Sequence, residues 1–482
     1  MCAVMCALLL GAGGCARFAP AVLLSTTPDA QACVTRFVAS DAAIARAGTT
    51  DAQAWRVPGF PYLRVDRVTA SLLDVVVDGA GRRAWLLRAA ALDEQGRDVE
   101  LNNSATTAAA PALAGCRARL LATLEHDDTG WNALRAAAAR VPDDYSQWRR
   151  VVGLYPLSAG LVLGGVTRMQ AHEMPHLDLA TSGADANVTT YALAPTAPAQ
   201  RIVLAALTID ALGLPQPGAA GLLSLLHAYA PQLSIDLHDV NDRLGLITRT
   251  PAGVAVDSAQ PVLYADLAWT RFGDDRLLQL VYTWWYPARP ARTPWDGLSG
   301  RLDGLTWRVT LDRDGEPLLY DVMHNCGCYH MFLPTPRLQP RAQSASLAEP
   351  PWIPFTVPAA WQGRVRLVLA PASHYLTAVA PALAATSARS YELRDYAALR
   401  SLPNGSNGYA SLFDADGLVP DTRRAERWLL WPLGIVAPGS MRQWGHHATA
   451  FVGRRHFDEA RLFERYFVRA DSSSGAGATC AD

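Results

Sequence analysis

Lysine is absent from this chain. All 43 basic residues are arginine, against 44 Asp and Glu, which leaves a formal net charge of -1 over 482 residues. The absence excludes chemistry that needs a lysine amine: the phosphate cradle of a P-loop, the strand lysine of a protein kinase, and Schiff-base catalysis. Arginine still clamps phosphates and carboxylates through its planar fork. Charge is sparse at 18% and hydrophobic residues make up 50%, so the chain buries sizeable cores and is not disordered. No basic domain stands out, which argues against a nucleic-acid partner. Long apolar runs are missing too. Val151–Val166 comes nearest, but Pro156 and several glycines interrupt it, and it falls short of the ~20 residues of a membrane span. It reads as a buried core segment. No Gly-x-Ser-x-Gly elbow occurs, since Gly297-Leu298-Ser299-Gly300 lacks the spacing. There is no internal repeat of fixed period.

What is present begins at the N-terminus. Residues 4–14 form a short apolar run rich in Leu, Ala and Gly, and Cys15 follows. Such a run is too short to cross a bilayer and fits the core of a signal peptide. The segment Leu10-Gly11-Ala12-Gly13-Gly14-Cys15 resembles a bacterial lipoprotein signal, in which small residues precede a cysteine that becomes acylated. The resemblance covers this segment alone. It implies a signal peptide over 1–14, a lipid anchor on Cys15 with a tether over 15–32, and a membrane as partner. Ala16 in place of Asp implies the outer membrane, facing the periplasm of a bacterial cell envelope. Cys33, Cys116, Cys326, Cys328 and Cys480 then lie in an oxidising compartment. Cys33 and Cys116 are the candidates for a structural disulfide, although sequence alone does not fix connectivity.

The body of the chain predicts an α+β fold, an antiparallel sheet with hairpins plus packed helices, in two or three regions. Residues 33–200 read as a mixed α/β region. Within it, Tyr62–Asp78 is strand-like, and Ala112–Leu124 and Trp131–Arg140 carry helical spacing. Residues 201–334 read as an antiparallel β-rich region that also holds a helix at Ala219–Tyr229. Its clearest signal is the hairpin Trp307–Leu311 with Pro317–Met323, turned around Arg313-Asp314-Gly315. Residues 335–363 form a Pro-rich linker or loop, 364–470 a C-terminal α+β region, and 471–482 a disordered tail.

The strongest chemical signal lies just past that hairpin. His324, Cys326, Cys328 and His330 occupy alternate positions in a chain with eight Cys and 11 His. On a continuing strand, period two puts all of them on one face. A straight strand would hold the two histidines roughly 20 Å apart, so one metal needs a bulge or turn at Gly327, or ligands from elsewhere. His446, His447 and His456 are the candidates to complete it, and Zn or Cu suits these donors. Cys326-Gly327-Cys328 can also act as a redox dithiol, because a disulfide across one residue is strained and easily reduced. A third use is structural, through disulfides and polar hydrogen bonds.

His172-Glu173-Met174-Pro175-His176 matches the letters of the zinc-protease signature, but that signature needs a helix and Pro175 breaks one, which favours a chance match in a loop. The Arg- and Trp-rich stretch 423–467 offers a surface for anions, sugars or a membrane, or an edge where Arg stems pack on rings. The sequence therefore predicts a lipid-anchored envelope protein that binds metal through its His-x-Cys-x-Cys-x-His segment. The alternatives are a non-enzymatic scaffold or binding protein with a protein or glycan partner, and a thiol-redox protein. Whether it is an enzyme is left open.

Overall fold

The computed structural model describes residues 27–173, 177–179, 188–194, 207–250, 253–342, 348–361, 364–383, 388–405 and 408–470. Cys15, Met174–His176 and Cys480 lie outside them.

The N-terminal helices begin inside the stretch expected to be a tether. Thr27 opens α1 (Pro28–Ala47) by accepting from the Ala30 amide; Pro28 sits in the first turn, and left-handed Gly48 ends the helix. A small hairpin follows, β1 (Trp55–Val57) with β2 (Phe60–Val65). The strand expected to run from Tyr62 to Asp78 stops at Val65. Asp66 turns the chain into α2 (Arg67–Ser71), its carboxylate accepting from the Thr69 amide at 2.6 Å. Next come α3 (Gly79–Asn103), α4 (Ala110–Glu125) and α5 (Asp128–Ala138). A disulfide joins the candidate pair Cys33 and Cys116 and staples α1 to α4.

One face of α3 changes chemistry along its length. Trp85, Leu86, Ala89 and Ala90 give way to buried Asp93, Arg97 and Glu100 at the same helical period. These charges meet Arg64 of β2, whose guanidinium contacts Asp93 at 3.3 Å and Glu100 at 2.7 Å with all three side chains buried. Asp51 lies 3.7 Å from Arg64 and accepts from Arg400 at 2.9 and 2.7 Å and from Gln443 at 3.0 Å. The network thus joins the N-terminal helices to the C-terminal region.

Two helices then lie on the outside, α6 (Gln147–Val152) and α7 (Tyr155–Glu173). The expected buried core segment is instead an exposed helix: of the described α7 side chains, Ala159 and Val166 are the buried ones.

The second half of the molecule is a sheet. Strands β3 (Asp178–Leu179) and β4 (Val188–Leu193) precede a short hairpin, β5 (Thr208–Ile209) with β6 (Pro215–Gln216). Helix α8 (Gly218–Tyr229) leads into β7 (Gln232–Asp236), and a further hairpin pairs β8 (Leu246–Thr250) with β9 (Gly253–Asp257). A meander follows: β10 (Val262–Phe272), β11 (Asp275–Arg289), β12 (Gly300–Leu311), β13 (Pro317–His324) and β14 (Met331–Pro334). After β15 (Leu338–Pro340) come β16 (Val365–Leu369), β17 (Leu376–Pro381), β18 (Arg389–Asp395), β19 (Leu402–Pro403) and β20 (Tyr409–Ala410). Short helices α9 (Arg427–Leu430) and α10 (Leu462–Tyr466) and strand β21 (Phe467–Arg469) complete the described elements.

The fold is α+β, but its large sheet is mixed rather than antiparallel. Among the described residues eleven strands run in the order β14-β13-β12-β11-β10-β18-β4-β7-β16-β17-β3. Tight turns force antiparallel pairing within the meander and between β16 and β17, and strands recruited from far along the chain carry no such constraint. Parallel pairs therefore join β10 to β18, β18 to β4, β7 to β16 and β17 to β3. The β10–β18 seam sets residues 262–265 beside 392–395.

Candidate functional site

The segment singled out by sequence does not continue as a strand. After His324 the chain turns tightly: the Gly327 amide donates to the His324 carbonyl at 2.7 Å, and the His324 amide to the Cys328 carbonyl at 2.9 Å. Gly327 has φ +92, and a Cβ there would meet the Ala448 carbonyl oxygen at 2.5 Å, so only glycine fits. The turn ends the alternation. His324 pairs in register with Leu305 and shares a sheet face with Asp303, two residues along β12. His330 reaches the opposite face, where its Nε2 lies 2.9 Å from Asp321, the partner of Arg308. The two histidines are not brought together.

Between them, the Cys326 and Cys328 sulfurs are brought together. Both thiols are reduced and buried, and they hydrogen-bond to each other. Accepting that bond holds the Cys326 thiol below its ordinary pKa. Donating it, in a buried site, holds Cys328 well above.

His446, His447 and His456 lie on the segment that packs over this turn, and the first and last of them serve other groups. The Arg442 guanidinium donates to the Cys326 carbonyl, and His330 Nδ1 lies 3.2 Å from Thr449 Oγ1, so the two segments do adjoin. His446 is held between Asp144 Oδ1 at 3.0 Å and the Ala52 carbonyl at 2.7 Å. His456 Nε2 contacts Asp143 at 3.2 Å and Asp144 at 3.5 Å. Burial, with Arg442 close by, pushes His447 down to about 3. Among the described residues no three His, Cys, Asp or Glu side chains are grouped as a metal site.

His324 leads instead to a buried charge centre on Asp303. Asp303 lies 2.8 Å from His374 Nδ1, 3.0 Å from Arg424 and 3.5 Å from His324 Nδ1. Burial alone would raise its pKa; Arg424 and the two histidines outweigh that and hold it well below the carboxylate range. His374 stacks on Tyr286 at 3.9 Å, and Tyr375 bonds both Arg289 and the Tyr329 hydroxyl. Leu302, Tyr329, Ala372 and His374 all have positive φ, so non-glycine backbone strain concentrates around this centre. Its adjoining pocket holds only about 20 Å³, walled by Met323, Met331 and Trp352, room for about one water.

A larger cavity lies elsewhere, one to which the sequence analysis did not point. A cleft of about 610 Å³ separates α3 from β10. Ala84, Leu87, Arg88, Ala91, Leu92 and Gln95 form its helical wall, at the three- and four-residue spacing of one helix face. The opposite wall is Asp266, Leu267, Ala268 and Trp269, and Trp444, Asp66, Asp210 and Asp458 close the ends. Arg88 lies 4.5 Å over the Trp269 ring, whose Nε1 donates to the Pro215 carbonyl. Three of the carboxylates are engaged: Asp66 caps α2, Asp210 accepts from Leu212, Leu214 and Gln216, and Asp458 meets Arg67 at 3.2 Å. Asp266 accepts from the adjacent Leu267 amide and pairs with no arginine among the described residues. It sits deep among neighbours while its edge stays open to the cleft, and that desolvation pushes it up to about 7. The one sequence signal was an Asp in the middle of the apolar run Val262–Trp269.

No family model, curated protein or solved structure matches the chain.

Proposed function

We propose that this is an envelope protein, tethered through a lipid on Cys15, that binds a saccharide-type ligand in the cleft between α3 and β10. The observation that carries this reading is the make-up of the cleft. About 610 Å³ of space is lined by two indoles, several aspartates and glutamines, and a largely apolar floor. That volume suits a small-molecule site, and rings backed by hydrogen-bonding side chains suit a hydroxylated ring. The Asp303 centre is the weaker candidate because it adjoins only about 20 Å³. The test is calorimetric titration with N-acetylglucosamine oligomers and peptidoglycan-derived disaccharides. Saturable binding is expected, weakened at least about tenfold in Trp269→Ala, where an aromatic contact is lost. In the native chain binding should change between pH 6 and 8, and Asp266→Asn should abolish that change. Absence of binding to every glycan, or binding indifferent to Trp269→Ala, refutes the reading.

A second reading is supported by the thiol pair. Two reduced sulfurs sharing a hydrogen bond can ligate a soft ion such as Cu or Zn with fewer protein ligands than the segment offers on paper. Elemental mass spectrometry should then find near one metal equivalent in the native protein and none in Cys326→Ser/Cys328→Ser. Equal metal content in the two discards it.

A further inference from the structure

Helix α7 carries the sequence Tyr-Pro-Leu-Ser-Ala-Gly-Leu-Val-Leu-Gly-Gly-Val-Thr-Arg-Met-Gln-Ala-His-Glu, and its apolar side chains are not buried as a helix of that composition requires. Leu157 is 70% exposed and Leu161 80%. On α6 the pattern repeats, with Trp148, Val151 and Val152 exposed. Trp428 and Leu429, 71% and 73% exposed, belong to the same platform. The turn that follows them is seated on α6: Arg150 donates to the Leu433 carbonyl, Ser146 to Gly434, and a Cβ on Gly153 would stand 2.5 Å from Pro432. A contiguous exposed apolar surface of this kind marks an interaction site.

Its charge identifies the occupant. From Tyr145 to His172 the chain has no Asp or Glu, while Arg149 is half-buried and Arg168 exposed at the surface; Arg150 is buried on the Leu433 and Gly453 carbonyls. Arg149 lies 5.6 Å over Trp148, and Arg427 4.8 Å over Trp428, so exposed indoles and guanidinium groups are set side by side. Indole, aliphatic and arginine side chains on one surface match the boundary between lipid tails and anionic headgroups. No described helix is long and apolar enough to cross a membrane, so this surface would lie on a bilayer rather than span it. We propose that α6, α7 and Trp428–Leu429 form a docking surface for an anionic lipid bilayer. The inference deepens the tethered-envelope reading by naming the face turned to the membrane, and it does not depend on Cys15.

The test uses a chain starting at Ala16, which keeps every described residue and removes the lipid attachment point. It is floated with vesicles of phosphatidylcholine containing phosphatidylglycerol, and with phosphatidylcholine alone. Co-flotation with the anionic vesicles is expected, with a blue shift of tryptophan emission and weaker binding to the neutral ones. Leu157→Glu/Leu161→Glu alters two exposed side chains, so folding is retained, and should weaken binding by about tenfold or more. Arg149→Glu should weaken binding to the anionic vesicles only. No flotation of the native sequence, or equal flotation of the double variant, overturns the proposal. So does a dimer, seen by light scattering, that the double variant dissolves, since the occupant would then be a second copy. Loss of lipid binding here would leave acylation of Cys15 and the α3–β10 cleft untouched.

Discussion

His330 and His447, with His324, stand on one side of a contest between burial and charge that sets apart the buried histidines. Burial pushes His330 down to about 4 although Asp321 pulls the other way, and His447 down to about 3. His374, His446 and His456 are raised, because their bonds to Asp242 and Asp303, to Asp144, and to Asp143 and Asp144 outweigh burial. The signs follow. An unfolded histidine takes its proton near 6.5, so below that value the unfolded chain binds protons that His330 and His447 refuse. Stability is then lost on acidification by about 1.4 kcal/mol per pH unit for each group. The raised set contributes stability that is complete below about 6.5 and lost as pH rises through its folded values. Urea unfolding across this range should give a maximum near neutrality and a loss on the order of 2 kcal/mol or more at pH 5. A profile flat from pH 7 to 5 would contradict the neutral assignment of His330 and His447.

Elements whose patterning agrees with their environment were legible in the sequence. The hairpin of β12 and β13 and helices α4, α5 and α8 stand where spacing and turn chemistry placed them, and the candidate pair Cys33 and Cys116 is bridged. Helix α3 was not read, because Asp93, Arg97 and Glu100 occupy buried positions that a periodicity search scores as solvent-facing. Arg56, Arg64 and Arg117 of other elements, with Arg97 of the helix itself, pair the two carboxylates, and Asp41 and Asp93 pair Arg97. Helix α7 failed in the opposite sense, apolar in sequence yet exposed. The Cys/His segment was legible as composition and illegible as geometry. Its alternation implies one face only while the strand lasts, and β13 ends at His324. The cleft had almost no signature, since its walls come from α2, α3, β10 and the C-terminal region and meet only in the folded molecule.

At the scale of the whole molecule, the buried ion network sets the cooperativity. Arg64 is enclosed by Asp51, Asp93 and Glu100, and Asp51 is held in turn by Arg400 and Gln443 from the far end of the chain. Replacing Arg64 with Met removes a central cation and leaves buried carboxylates short of a partner, at a cost of about 3–5 kcal/mol. Chemical denaturation followed by circular dichroism and by tryptophan emission should show that loss as one coincident transition. Two separated transitions in the native protein would mean that the helices and the sheet unfold independently.

The β10–β18 seam has a consequence for how the molecule is made. Four consecutive pairs join residues 262–265 to 392–395, and they hold the meander against the rest of the sheet. A growing chain cannot form them until the later strand has been synthesised, so the meander waits with one long edge unpaired. Contacts this remote in sequence raise contact order, and loop-closure entropy opposes them before any pairing rewards it. The sheet therefore closes late, and until then the open edge of β10 is the place where two nascent copies would pair with each other.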